Sequence, residues 1–258
     1  MFNKRFLFII CLIAVLLTPV STGFGMVLVS VSNDGAMEHV TPYVPKPTPI
    51  QWKHYDNARN VYVEECIDLG ITFEEYKASM TDHSMRLSSW FDLPGLHLVD
   101  PDDIYVKKVA EHILEVTDGY YELSRITAVC NFVQTSVRYE YDEVLYGGNF
   151  IARPMETLYL GLGDCDDTAV LLMSLYLAMG YDAALLDYSD HIAVGVMYNG
   201  EYLFCEATSG LPGIPTPGIT RYCETPKVYP AGSISDVNLA ITDGLGWYRN
   251  LVRDISGR

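Results

Sequence analysis

The sequence predicts an α+β fold in which a buried helix, carrying a cysteine at its start, packs on an antiparallel sheet. Three observations predict it. Cys165 follows Gly161-Leu-Gly-Asp164 and opens a run through residue 179 that is apolar almost all round and closes at Gly180. A helix apolar on every face belongs inside a larger fold rather than on its surface. After Gly180 the pattern turns strand-like in 183–188 and 191–198, and Asn199-Gly200 is a two-residue hairpin signal leading into 202–206. Two helical patterns, 101–116 and 121–137, precede the cysteine and are long enough to support its helix.

The chain has 258 residues, 49% of them hydrophobic, which suits one well-packed domain with an extension or two small domains. Its formal charge of -16 excludes nucleic acid as a partner of the body, because a net negative field repels phosphates. Lys4 and Arg5 precede an apolar run, 6–20, and no charge follows until Asp34. This is an export or membrane signal. Its core, 6–17, is short as in a cleaved signal peptide, but the uncharged stretch through Val31 is long enough to span a bilayer once. Residues 1–32 are therefore expected to be a signal peptide or an N-terminal transmembrane anchor, with 6–31 in the membrane if uncleaved. The rest of the chain then lies outside the cytoplasm, anchored or secreted. Pro42, Pro45, Pro47 and Pro49 favour polyproline II, so 33–50 reads as a Pro-rich linker, a stalk better suited to an anchored protein.

Residues 51–100 read as a helical extension. Within it 56–69 and 72–87 look helical, the second opened by the capping-box pair Thr72 and Glu75, and 88–99 is a loop around Pro94-Gly95. Residues 101–258 form the main domain. In 101–116 Ile104, Val109, Ile113 and Val116 mark an apolar stripe, with His112 at its boundary, and in 121–137 Leu123, Ile126, Cys130, Val133 and Val137 share a face. Residues 138–141 lead to a Gly147-Gly148 link, and 154–160 form a short helix ending in the turn before Cys165. From 208 to 230 Gly, Pro and Thr dominate, an irregular loop, and the apolar residues after Val237 suggest a short final helix.

Cys11 lies in the apolar segment. With Cys165 as a working thiol, Cys66, Cys130, Cys205 and Cys223 are an even set available for two disulfides. A Cys205–Cys223 bond would staple the loop between them, and four free thiols fit the sequence as well.

At a helix start, Cys165 would feel the dipole and free N–H groups that favour a thiolate, the nucleophilic form; the alternative is a buried structural cysteine. His191 opens a strand 26 residues later. Across a two-residue turn at 199–200, Ala193 pairs with Glu206, so His191 and Glu206 share a face as diagonal neighbours, with α-carbons roughly 5 to 8 Å apart. A nucleophile, a base and a carboxylate to orient the base have the logic of a Cys-His-acid triad. A metal site from Asp164, Asp166, Asp167 and His191 is disfavoured, because consecutive acids on a helix point in different directions. Those acids also oppose the thiolate, since negative neighbours raise a thiol pKa. They are expected to cap backbone N–H groups or to pair with Arg138 or Arg153.

In this order, Met155-Glu-Thr-Leu158, Gly161-Leu-Gly-Asp-Cys-Asp-Asp-Thr-Ala-Val-Leu-Leu172, Gly180-Tyr181, His191-Ile-Ala-Val-Gly-Val196 and Tyr202-Leu-Phe-Cys-Glu-Ala-Thr-Ser-Gly210 resemble the core of the transglutaminase-like superfamily. The preceding 132–142, with Tyr139 and Asp142, resembles the helix end before that core. The resemblance implies a papain-like α+β domain in which Cys165 attacks an acyl carbon, His191 is general base and acid, and Glu206 holds the imidazole. Glu206 stands where the family usually has Asp. The backbone N–H of Cys165 would be one oxyanion donor. The implied activity is a thiol-dependent hydrolase, a peptidase or amidase working through a thioester, on a protein or peptide amide that includes cell-envelope material. No cofactor is required. The alternatives are an acyl transferase or cross-linker of the same fold, and a non-catalytic envelope binding protein.

Overall fold

The computed structural model describes residues 26–27, 42–43, 49–57, 59–80, 95–147, 150–208, 210–217 and 224–233. Contacts divide the chain into two units, Met1–Pro45 and Lys46–Arg258. In the first, β1 (Met26–Val27) pairs antiparallel with β2 (Pro42–Tyr43). Apart from these pairs the expected membrane segment and linker lie outside the described residues, as does the expected final helix. Among the described residues no helix is long and apolar enough to cross a membrane.

The second unit begins differently from expectation. Residues 56–69, read as helical, belong to an antiparallel hairpin of β3 (Ile50–Asp56) and β4 (Val61–Ile67). Val61, Val63 and Ile67 are β-branched, and Ile50, Trp52, His54 and Asp56 alternate toward the core. That alternation, packed on the helix of residues 122–136, overrides helix propensity. Among the described residues the expected helical extension is thus a hairpin followed by the short helix α1 (Phe73–Ser79), capped by the expected Thr72–Glu75 box, and a 3-10 turn at Leu96–Leu98. Residues 81–94, which hold the rest of the helix expected to run to 87 and the start of the loop expected after it, are not among those described.

Next come α2 (Ile104–Val116), with Asp103 as N-cap, and α3 (Glu122–Ser136). The chain continues through β5 (Arg138–Tyr139), the single turn α4 (Asp142–Leu145), α5 (Pro154–Leu160) and β6 (Leu162–Gly163) to α6 (Cys165–Ala178). Helix α6 is the centre of the unit and touches α2, α3, α5 and two strands of the main sheet. Its residues 169–176 are buried on every side, each large apolar side chain contributing roughly 1.5–3 kcal/mol relative to exposure. That enclosure explains an apolar pattern with no polar face.

The main sheet is antiparallel, in the order β10 (Thr216–Pro217), β9 (Glu201–Cys205), β8 (Ile192–Tyr198), β7 (Ala183–Asp187), β11 (Lys227–Pro230). Asn199 and Gly200 both take positive φ, 52° and 85°, as a primed hairpin turn demands. The ladder pairs Val194 with Cys205 and Tyr198 with Glu201, the register expected from that turn. Residues 208–230 are not one irregular loop: β10 and β11 close the two edges of the sheet. Cys66, Cys130, Cys165 and Cys205 are free thiols, so a Cys205–Cys223 staple is not formed.

Candidate active site

Cys165 is placed by a tight crossing of backbone. The parallel pair β5–β6 lays Tyr139 beside Gly163, and Asp164 then caps α6 by accepting the N–H of Asp166 at 3.1 Å. Asp167 returns the bond, its Oδ2 taking the N–H of Asp164 at 3.2 Å, while its Oδ1 takes the N–H of Ala152 at 2.6 Å. A Cβ on Gly163 would lie 2.8 Å from both Cβ and Oδ2 of Asp167, so only glycine lets the turn close against the helix.

The cysteine at this corner is half-buried, and the N–H groups of Ile192 and of Cys165 itself point at its sulfur. Burial first, then the charges of Asp164 and Asp166, push its thiol up to about 12 against the pull of those two N–H groups. The acids fulfil the capping expectation in Asp164 and Asp167. They do not pair with Arg138, which reaches Glu140 at 3.7 Å.

Asp142, from α4, joins them. One carboxylate oxygen from each of Asp142, Asp164 and Asp167 lies within 4.8 Å of the others. Asp142 spends Oδ2 on the N–H of Phe150 at 2.7 Å, but its Oδ1 is buried without a partner, as is Oδ1 of Asp166. Burial, and next to it Asp164, raise Asp142 to about 7, and burial with the neighbouring carboxylates raises Asp166 and Asp167 well above the ordinary range. Among the described residues, Asp142, Asp164 and Asp167 are the group that could hold a divalent cation. They differ from the set of Asp164, Asp166, Asp167 and His191 weighed from sequence, because Asp142 arrives through the β5–β6 pairing and His191 faces another carboxylate.

That carboxylate is Glu206. Its oxygens lie 3.1 and 3.0 Å from His191 Nε2. Thr208 donates to Oε1 from its N–H at 3.0 Å and its hydroxyl at 2.7 Å. Burial alone would raise the Glu206 pKa; the bonds from His191 and Thr208 outweigh it and hold the carboxyl down at about 2. With Nε2 occupied by the carboxylate, Nδ1 is left as the basic nitrogen of the neutral ring. Cys165 approaches this strand at Ile192, the residue after His191. Among the described residues the structure contains no hydrogen bond from the sulfur to the ring. Sequence reasoning missed Thr208, whose spacing of two from Glu206 is a local turn signal, and the part of Asp142 in the acidic cluster.

A helix start bearing a cysteine here lies against the start of a strand, next to a histidine and its acid, in a mixed α/β fold. Residues 104–212 match the family model described as a transglutaminase-like domain. Among solved structures, a candidate cysteine protease from Cytophaga hutchinsonii is similar at 14% identity and TM-score 0.36, over 52% of this chain and 50% of that one. This chain thus spans about half the length of that protein. Legionella pneumophila LapG is similar at 14% identity and TM-score 0.36, over 49% of this chain and 84% of that one. A structure described as a TGase is similar at 12% identity and TM-score 0.34, over 59% and 37%. A search among curated proteins found no match.

Proposed function

We propose that the protein is a transglutaminase-like cysteine hydrolase, a peptidase or amidase, acting outside the cytoplasm through Cys165, His191 and Glu206. The observation that carries the reading is the grip of Glu206 on His191 Nε2, which fixes the tautomer and leaves Nδ1 free on the residue just before Ile192, whose N–H meets the sulfur. A thiol pushed up to about 12 is not a standing thiolate at neutral pH. His191 therefore takes the thiol proton as the sulfur attacks, and Glu206 stabilises the imidazolium that forms. Sulfur bonds to the acyl carbon of a protein or peptide amide, and the N–H of Cys165 helps to hold the oxyanion. Collapse of the intermediate passes the proton from His191 to the leaving amine. Water, deprotonated by the same ring, then cleaves the thioester. Residues 6–31 would hold the domain at a membrane, within reach of envelope material, or be removed on secretion.

Capture of the acyl-enzyme tests this. The full chain incubated with p-nitrophenyl acetate should gain one acetyl group on Cys165. His191→Ala should slow its formation by about 100-fold or more. An adduct at Cys66 alone, or one on Cys165 that forms at the same rate without His191, contradicts the reading. Transfer to an amine is the second outcome: faster turnover with added methylamine, and an N-methylacetamide product, would make the protein an acyl transferase.

A further inference from the structure

Glu206 lies one residue beyond the last ladder pair, Val194 with Cys205. Nothing in the sheet fixes its backbone. Its carbonyl turns instead to α3, where it accepts the side-chain N–H of Gln134 at 2.7 Å and the thiol of Cys130 at 3.4 Å. Gln134 Oε1 in turn accepts the N–H of Gly213 at 2.7 Å, and Asn131 Nδ2 donates to both the Gly213 carbonyl, at 2.7 Å, and Gln134 Oε1, at 3.0 Å. A Cβ on Gly213 would meet Gln134 Nε2 at 3.2 Å, so glycine suits the close approach. Asn131 and Gln134 are 1% and 3% exposed. Two amides buried in an apolar interior are costly unless each bond is made. Here the bonds go to the two ends of the segment that carries Glu206 and Thr208.

We propose that the Asn131–Gln134 amide pair is a positioning device for the Glu206 carboxylate, clasping the backbone at Glu206 and Gly213 so that the carboxylate meets His191 Nε2 with both oxygens. The proposal rests on the reading of Glu206 as the acid that orients His191. Gln134 touches neither the ring nor the sulfur and acts through Glu206. Packing alone does not require the pair, since an apolar couple of the same volume would fill the space.

The test is a double-mutant cycle on the full chain, reading the rate of Cys165 alkylation by iodoacetamide at pH 7, resolved from the other cysteines by peptide mass. Glu206→Gln should lower the rate by about 10-fold and Gln134→Met by about 5-fold, while the double variant should match Glu206→Gln within about 2-fold. Gln134→Glu keeps an acceptor for the Gly213 N–H, removes the donor to the Glu206 carbonyl and sets a buried carboxyl group against that carbonyl. It should fall to the rate of Gln134→Met or below, and it replaces that variant if Gln134→Met does not fold. A double variant showing the product of both losses would mean a general structural role and overturns the clasp. An effect of Glu206→Gln with none from either Gln134 variant overturns the clasp and leaves the triad standing. No effect from Glu206→Gln overturns the triad and the clasp with it.

Discussion

The acids on the two sides of the candidate site behave in opposite ways. At the start of α6, Asp142 is raised to about 7 and Asp166 and Asp167 well above the ordinary carboxylate range; at the end of β9, the half-buried Glu206 is lowered to about 2. Burial pushes all of them up. The difference lies in their partners: the helix-end acids face one another, with backbone N–H groups as their donors, whereas Glu206 faces an imidazole and both donors of Thr208. One side crowds acids that resist ionising around the sulfur. The other prepares a base.

The crowding can be tested sterically. Gly163→Ala places a methyl group 2.8 Å from Asp167, so it should destabilise the domain by about 3 kcal/mol, read by thermal unfolding. A loss below about 1 kcal/mol would mean that the turn yields and the helix end is not tightly held.

The charge can be tested by pH. Because Asp142 holds its proton in the folded state up to about 7 and in the unfolded state only to its ordinary value of 3.8, the native protein binds more protons through that window. Stability should therefore decline as pH rises from about 4 to 7 and level off above. In metal-free buffer Asp142→Asn should flatten this slope and stabilise the domain by about 2 kcal/mol at pH 8. Equal melting temperatures for the two proteins at pH 8 and pH 5 would remove the contrast.

Glu206 has the opposite sign. Its folded pKa is depressed, so its stabilisation is full above its ordinary value of 4.5 and is lost as pH falls toward about 2. Glu206→Gln should be less stable than the parent at pH 7 by about 1 to 2 kcal/mol and equal to it near pH 2. The smallest effect is expected of Thr208→Val, which deletes the hydroxyl donor at 2.7 Å and keeps the N–H; Cys165 alkylation at pH 7 should slow by about 3-fold.

What the sequence disclosed follows the range of the interactions involved. The α6 helix and the β8–β9 hairpin are local, marked by an apolar run and by Asn199-Gly200, and the hairpin register alone brought His191 to Glu206. The β3–β4 hairpin, expected in part to be helical, is decided by a longer-range interaction, the packing of its alternating inner face with Trp52 against α3. Edge strand β11 hides among prolines and takes its form from pairing with β7. Asp142 stands 22 residues before Asp164, and a parallel pair of two residues on each strand joins them, too short to leave a period. The amide clasp of Asn131 and Gln134 is invisible for the same reason: both lie on a helix whose apolar face is read first, and their partners come from 72 residues or more away.

The most direct measurement is the pH profile of Cys165 alkylation in the parent and in His191→Ala. A thiol that ionises alone only near pH 12 cannot react at neutral pH unless a base takes its proton. The parent should react in the neutral range, and His191→Ala should do so only in strong alkali. Superimposable profiles would contradict the account, because the sulfur would then owe nothing to the ring.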